Sequence, residues 1–216
     1  MTDDPAVERW ERDAQFPLIT ASLMYLAAYT ATVLDRGASA DWQRVWAGTM
    51  YVTWGLFAVD YAGRLALSRH RWLFVRRHWL DAVVLALPVL RPLILVRFLG
   101  RRRVGKPLSL EGQVMAYTGL TVLLLGYVGA LSVLSAERDA RGASIRSFGD
   151  AVWWVCSTLS TTGYGDLVPV TFRGRVVGVV LMTVGVGLIG SVVGVFSSWL
   201  VRSFRGRQDG TAGSGG

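Results

Sequence analysis

The chain has 216 residues, of which 52% are hydrophobic and 18% charged, against roughly 25% charged in an ordinary soluble domain. Its formal net charge is +8, and the apolar residues fall into runs of bilayer-crossing length, which for a helix is about 20 residues. That excludes an ordinary soluble enzyme and a disordered chain. The single cysteine, Cys156, excludes an internal disulfide and a Cys-cluster metal site, and the two histidines, His70 and His78, leave no His-based metal centre.

The first apolar run covers residues 16–34. At 1.5 Å per residue it reaches roughly 28 Å, close to the hydrocarbon thickness. The residues before it are acidic (Asp3, Asp4, Glu8, Glu11, Asp13), so it reads as a spanning helix and not as a signal peptide. A second run covers 45–67. The next stretch, 79–99, carries Asp81, Pro88, Arg91, Pro92 and Arg97. Both its flanks are basic: Arg69, Arg71, Arg76 and Arg77 before it, Arg101, Arg102, Arg103 and Lys106 after it. Basic flanks prefer the cytoplasm, and a single crossing would put one of them outside. Two helices broken near the prolines keep both inside. This gives six segments with both termini cytoplasmic. Five segments, with the acidic N-terminus outside, is the rival count.

Two further long runs, 113–135 and 176–201, enclose a shorter apolar piece over 148–159. The basic clusters between runs read as topology-setting flanks that touch anionic lipid, not as a nucleic-acid surface. The tail 206–216 is Gly-rich and polar, and disorder is expected there. Arginine supplies 22 of the 23 basic residues, a usage expected of a GC-rich bacterial source.

The sharpest local signal is Thr161-Thr162-Gly163-Tyr164-Gly165-Asp166, between the short apolar piece and the last long run. Non-helical backbone at membrane depth is tolerated only where it is buried in protein or lines a water-filled path. Gly163 and Gly165 admit backbone conformations closed to residues with a side chain. Enzyme chemistry has no comparable signature. There are no paired catalytic carboxylates, no His cluster and no nucleophile–base pair near a segment end.

With Trp153-Trp154 before it and Pro169-Val170-Thr171 and Gly174-Arg175 after it, the stretch 148–201 resembles the pore of potassium channels, both voltage-gated and small bacterial two-helix types. The resemblance implies that the carbonyls of Thr161, Thr162, Gly163 and Tyr164 hold K⁺ in place of its water, with Gly165 completing the filter and the Thr161 hydroxyl forming the innermost site. It implies Asp166 at the outer mouth, and Trp153 and Trp154 bracing Tyr164. By position Gly185 matches the family's hinge glycine, while close helix packing is the competing reading. Thr162 stands where the family has Val, and Ser157 where some bacterial channels have Glu. The added hydroxyl of Thr162 either bonds behind the filter or is silent.

The first half resembles the voltage-sensor domain less completely. Phe57, Asp60 and Arg64 reproduce its plug and counter-charge pattern, and Asp81 matches the acid of its third helix. A static Asp60–Arg64 pair is the simpler alternative. A sensor's fourth helix carries Arg at every third residue; here that register holds Arg91, Ile94, Arg97, Gly100 and Arg103, so only alternate slots are charged. Arg91, Arg97 and Arg103 are the candidate gating charges, with static pairing as the alternative.

The expected architecture is an all-α integral membrane protein. A cytoplasmic N-terminus (1–14) precedes a four-helix sensor-like domain (15–106), a two-helix pore domain with a re-entrant helix and filter (107–205) and a tail (206–216). One filter strand cannot surround an ion, so the resemblance implies a homotetramer of the plasma membrane. The implied function is passive K⁺ conduction, with voltage gating open. The alternatives are a voltage-insensitive or weakly selective cation channel, and a non-conducting partner subunit. The expected partners are K⁺, membrane lipid and three further copies of the chain, with no nucleic acid and no cofactor beyond K⁺ in the filter.

Overall fold

The computed structural model describes residues 5–67 and 110–212, all helix, turn and loop. Contacts divide the chain into two units, Met1–Leu99 and Gly100–Gly216. The expected boundary at 106–107, and the expected third and fourth sensor helices, lie outside the described residues.

The first unit holds α1 (Pro5–Leu34) and α2 (Ala40–Leu67). Leu18, Ala21, Tyr25 and Ala28 are buried on α1, a spacing of three and four that keeps them on one face. On α2 the buried residues Thr53, Phe57 and Asp60 follow the same rule. Leu18, Ala21 and Phe57 form one cluster, with Ala14 packed against it. Ser22 and Thr53 are buried hydroxyls that donate to carbonyls one turn back, Leu18 O at 2.9 Å and Thr49 O at 2.8 Å. Such back-bonding satisfies a polar group inside an apolar helix.

The second unit holds α3 (Leu110–Glu137), α4 (Phe148–Leu159) and α5 (Phe172–Ala212). Its core is built on the end of α3, where Leu131, Val133 and Leu134 are fully buried. Of the buried residues of α4, Ala151, Trp154, Val155 and Thr158 make a stripe of helical spacing, and Ser157 is buried beside it. On α5 the buried stripe is Gly174, Gly178, Leu181 and Gly185, mostly without side chains. Those glycines let neighbours come close. A Cβ on Gly178 would lie 3.5 Å from the Trp154 ring, and one on Gly185 would lie 3.3 Å from the Leu159 side chain. Gly129 of α3 receives Leu181 more tightly still: a Cβ there would lie only 3.0 Å from both Leu181 methyl groups.

Residues 206–212 depart from expectation. Helix α5 continues through Gly206 to Ala212, where disorder is the sequence-based reading. Extending an existing helix adds one hydrogen bond per residue fixed and needs no new nucleus, which offsets the cost of the glycines.

Among the described residues, three helical stretches are long and apolar enough to cross a membrane: Phe16–Leu34, Met115–Glu137 and Phe172–Gly194. The run at 45–67 lies within α2, whose Asp60 and Arg64 dilute its apolar character.

Candidate functional site

The site begins with how α4 is started. Ser147 is its N-cap: the Ser147 hydroxyl accepts from Asp150 N at 3.1 Å, and the Asp150 carboxylate accepts from Ser147 N at 2.8 Å. This reciprocal pair satisfies two amides that a helix start leaves without partners. Arg146 N also donates to Asp150, at 3.1 Å. The backbone bonds from Ser147 and Arg146, then the Ser147 hydroxyl, hold the Asp150 carboxyl below its ordinary value of 3.8.

At its other end α4 runs into the loop 160–166. Ser160 N donates to Cys156 O and Thr161 N to Thr158 O, both at 3.0 Å, closing the last turn. The next three amides all turn to one residue. Thr162 N and Gly163 N donate to Ser157 O at 3.0 Å, and Tyr164 N donates to Ser157 Oγ at 3.1 Å. The φ angles are +59° at Thr161, +58° at Gly163 and +76° at Gly165, so every second residue is left-handed. In an ordinary strand successive amides face opposite sides; alternating hand brings them to the same side. Thr161 is the one residue other than glycine with positive φ among the described residues. For a β-branched residue that is strained, by about 1–3 kcal/mol, and such strain concentrates at functional sites. Residues 160–166 are exposed on the single chain.

The aromatic pair divides its work. Trp153 stacks on Tyr164, with ring centroids 5.4 Å apart and planes 9° apart, and its Nε1–H donates to Asp166 Oδ2 at 2.7 Å. Trp154, expected beside Tyr164 as well, is buried against Gly178 instead. Adjacent helical residues point about 100° apart, so both rings of one chain cannot serve the same contact.

A second set of bonds holds the loop's far end. Glu137, the last residue of α3, is fully buried. Its carboxylate accepts from Val170 N and Thr171 N, each at 2.9 Å, and from Thr171 Oγ1 at 2.6 Å. A Cβ on Gly174 would run into Glu137 Oε1 and lie 2.9 Å from Pro169 Cβ, so this clamp requires glycine at that place. Ser144 bridges to Val168, its hydroxyl accepting from Val168 N at 3.1 Å and donating to Val168 O at 3.3 Å. Glu137 and Ser144 escape a reading from sequence, and Ser157 enters it only as a departure from a family pattern. An acid that ends an apolar run is the signal that marks Glu137.

The sensor-like residues fall in two groups. Phe57 and Asp60 are buried in the first unit, and Arg64 pairs with Asp60 one turn away on α2. Asp81, Arg91, Arg97 and Arg103 lie outside the described residues. Gly185 lies inside an uninterrupted helix, seated against Leu159.

Residues 117–202 match the ion channel family. The curated relatives include a voltage-gated potassium channel of Aeropyrum pernix, 39% identical over 37% of this chain and 28% of its own. A calcium-gated potassium channel of Thermoplasma volcanium, TvoK, is 29% identical over 43% of this chain and 26% of its own. Potassium voltage-gated channel subfamily A member 2 of Xenopus laevis is 36% identical over 44% and 21%. The chain is similar to potassium channels. The matches span well under a third of each relative's length. Family and relatives are channels and not enzymes, and the apolar helices of spanning length agree with a membrane protein. The relatives' names give different gates, voltage and calcium among them, so the likeness does not carry a gate with it.

Proposed function

We propose that the chain is one subunit of a tetrameric, potassium-selective channel of the plasma membrane, with both termini cytoplasmic and six segments per subunit. The observation that carries this reading is the hand of the loop 161–165. Three consecutive amides turn toward Ser157, and φ alternates in sign along the loop. Carbonyls opposite those amides are left to face away from α4, toward the exposed side. Four such loops about one axis stack the carbonyls of Thr161, Thr162, Gly163 and Tyr164 into rings, with Gly165 as the last turn of the filter. Such rings replace the ion's hydration shell. Asp166, held by Trp153, then stands at the entrance and attracts cations.

The test is current through purified protein in planar bilayers, with K⁺ and Na⁺ on opposite sides. A reversal potential close to that for K⁺ is the expected result. Reversal near zero overturns selectivity, and folded tetramers that pass no current favour the partner-subunit reading.

Voltage gating by Arg91, Arg97 and Arg103 is the finer reading, with Phe57 as plug and Asp60 and Asp81 as counter-charges. A specific observation favours the voltage-insensitive alternative: Asp60 is already engaged by Arg64 of its own helix. The same recording separates the two. An open probability that changes over tens of millivolts supports sensing, and a flat one makes these residues static partners.

A further inference from the structure

The Thr162 hydroxyl lies 2.9 Å from Ser160 Oγ, and Ser160 Oγ donates to Ser157 O at 3.2 Å. Each hydroxyl has one proton. Either hydroxyl can donate in the bond between them; with the Ser160 proton on the Ser157 carbonyl, Thr162 is the donor. In that arrangement the bonds run from Thr162 through Ser160 to Ser157. Ser157 also accepts all three amides from Thr162 to Tyr164. The hydroxyl of residue 162 is therefore tied to the same residue that orients the loop's backbone.

We propose that Ser157, Ser160 and Thr162 form a hydroxyl relay that holds Thr162 turned away from the ion path and keeps the filter in its conducting shape. The inference rests on the channel reading above. In it Ser157 and Ser160 are positioning residues. They act through Thr162 and the amides and touch no ion. The relay accounts for Thr at a place where Val has the same branched shape: the second branch carries the proton that starts the chain. It also gives the loop a tether from a side chain, in addition to those from amides. Side-chain tethers at an exposed loop break and reform more readily than backbone turns, so the relay's presence is expected to show in how long the filter stays open.

The test is single-channel recording of the full-length protein in symmetric K⁺, comparing wild type with Thr162→Val, Ser160→Ala, the double variant and Thr162→Ser. The loop is exposed on the single chain, and none of these changes adds bulk. The mean open time is expected to fall about fivefold in Thr162→Val and in Ser160→Ala, the size of one lost hydrogen bond. The double variant is expected to be no worse than either single one, because both cut the same chain. Thr162→Ser keeps the proton and recovers most of the lost open time. An unchanged or longer open time in Thr162→Val overturns the relay, as does an additive double variant. Wild-type protein that passes no K⁺-selective current overturns the channel reading and the relay with it. Selective wild-type current with unaffected variants overturns the relay alone.

Discussion

Glu137 shows most clearly what a single side chain contributes. It is a carboxylate removed from water, and its compensation is three donors supplied by Val170 and Thr171. A buried charge without such partners is costly. Glu137→Gln turns an N–H₂ group toward those donors, and the loss should be about 1–3 kcal/mol of stability. Denaturant unfolding of the detergent-solubilised protein measures it; unchanged stability would mean that the clamp is idle. Gly174→Ala attacks the same clamp from the other side, because the new methyl displaces the carboxylate. A smaller effect in the Glu137→Gln background than in wild type is expected, and a double-mutant cycle reads that coupling. Trp153→Phe keeps a ring to stack on Tyr164 but deletes the N–H that holds Asp166. It should shorten filter openings while leaving unfolding nearly unchanged.

Elements are decided by their ends and by their seams. Helix α4 starts at Ser147 because the reciprocal bonds with Asp150 satisfy its first amides. The folded pKa of Asp150 lies below the unfolded one, so its contribution is present above about pH 3.8 and is lost as the pH falls through the lower, folded value. Asp150→Asn should therefore flatten the decline of melting temperature in that acid window and leave the neutral-pH slope alone. Along the seam of α3, Leu131 is fully buried, and Leu131→Ala should cost about 2–5 kcal/mol as transfer and cavity terms add. These elements were legible as apolar runs. Which glycine packs against which neighbour was not, because a residue without a side chain leaves no periodic mark. Gly185 illustrates this: its position in the sequence matches the family's hinge, with helix packing as the competing reading, and the contact with Leu159 supplies a packing reason. The end of α5 differs from the composition-based expectation for a related reason, since composition reports the cost of Gly206 but not the low cost of extending a helix already formed.

At the scale of the whole molecule, the single chain exposes a broad apolar surface on α5, including Val179, Val186 and Val193. Lipid and further copies of the chain are the coverings that the proposed assembly provides. Native mass spectrometry from detergent should find four copies, and a monomer under conditions that preserve folding would count against the filter geometry. A K⁺ ion bound only by the assembled filter stabilises it by mass action. Exchanging K⁺ for Na⁺ should then lower the melting temperature of the assembly, and equal melting in both salts would leave the proposed rings without a ligand.

Chemistry and order were in the sequence. Run lengths, basic flanks and the Thr-Thr-Gly-Tyr-Gly-Asp motif between Trp-Trp and an apolar helix pointed to a potassium-channel-like membrane protein and to its candidate site, because these depend on local composition and spacing. Partnership was decided only by the tertiary structure. That Glu137 reaches Val170 and Thr171, that Trp153 and not Trp154 meets Tyr164, and that Ser157 collects three amides all depend on segments far apart or on the hand of a loop. Hydrogen bonds have direction and short range, so which donor meets which acceptor follows from where the packed helices put the backbone, and no period or motif in the chain records it.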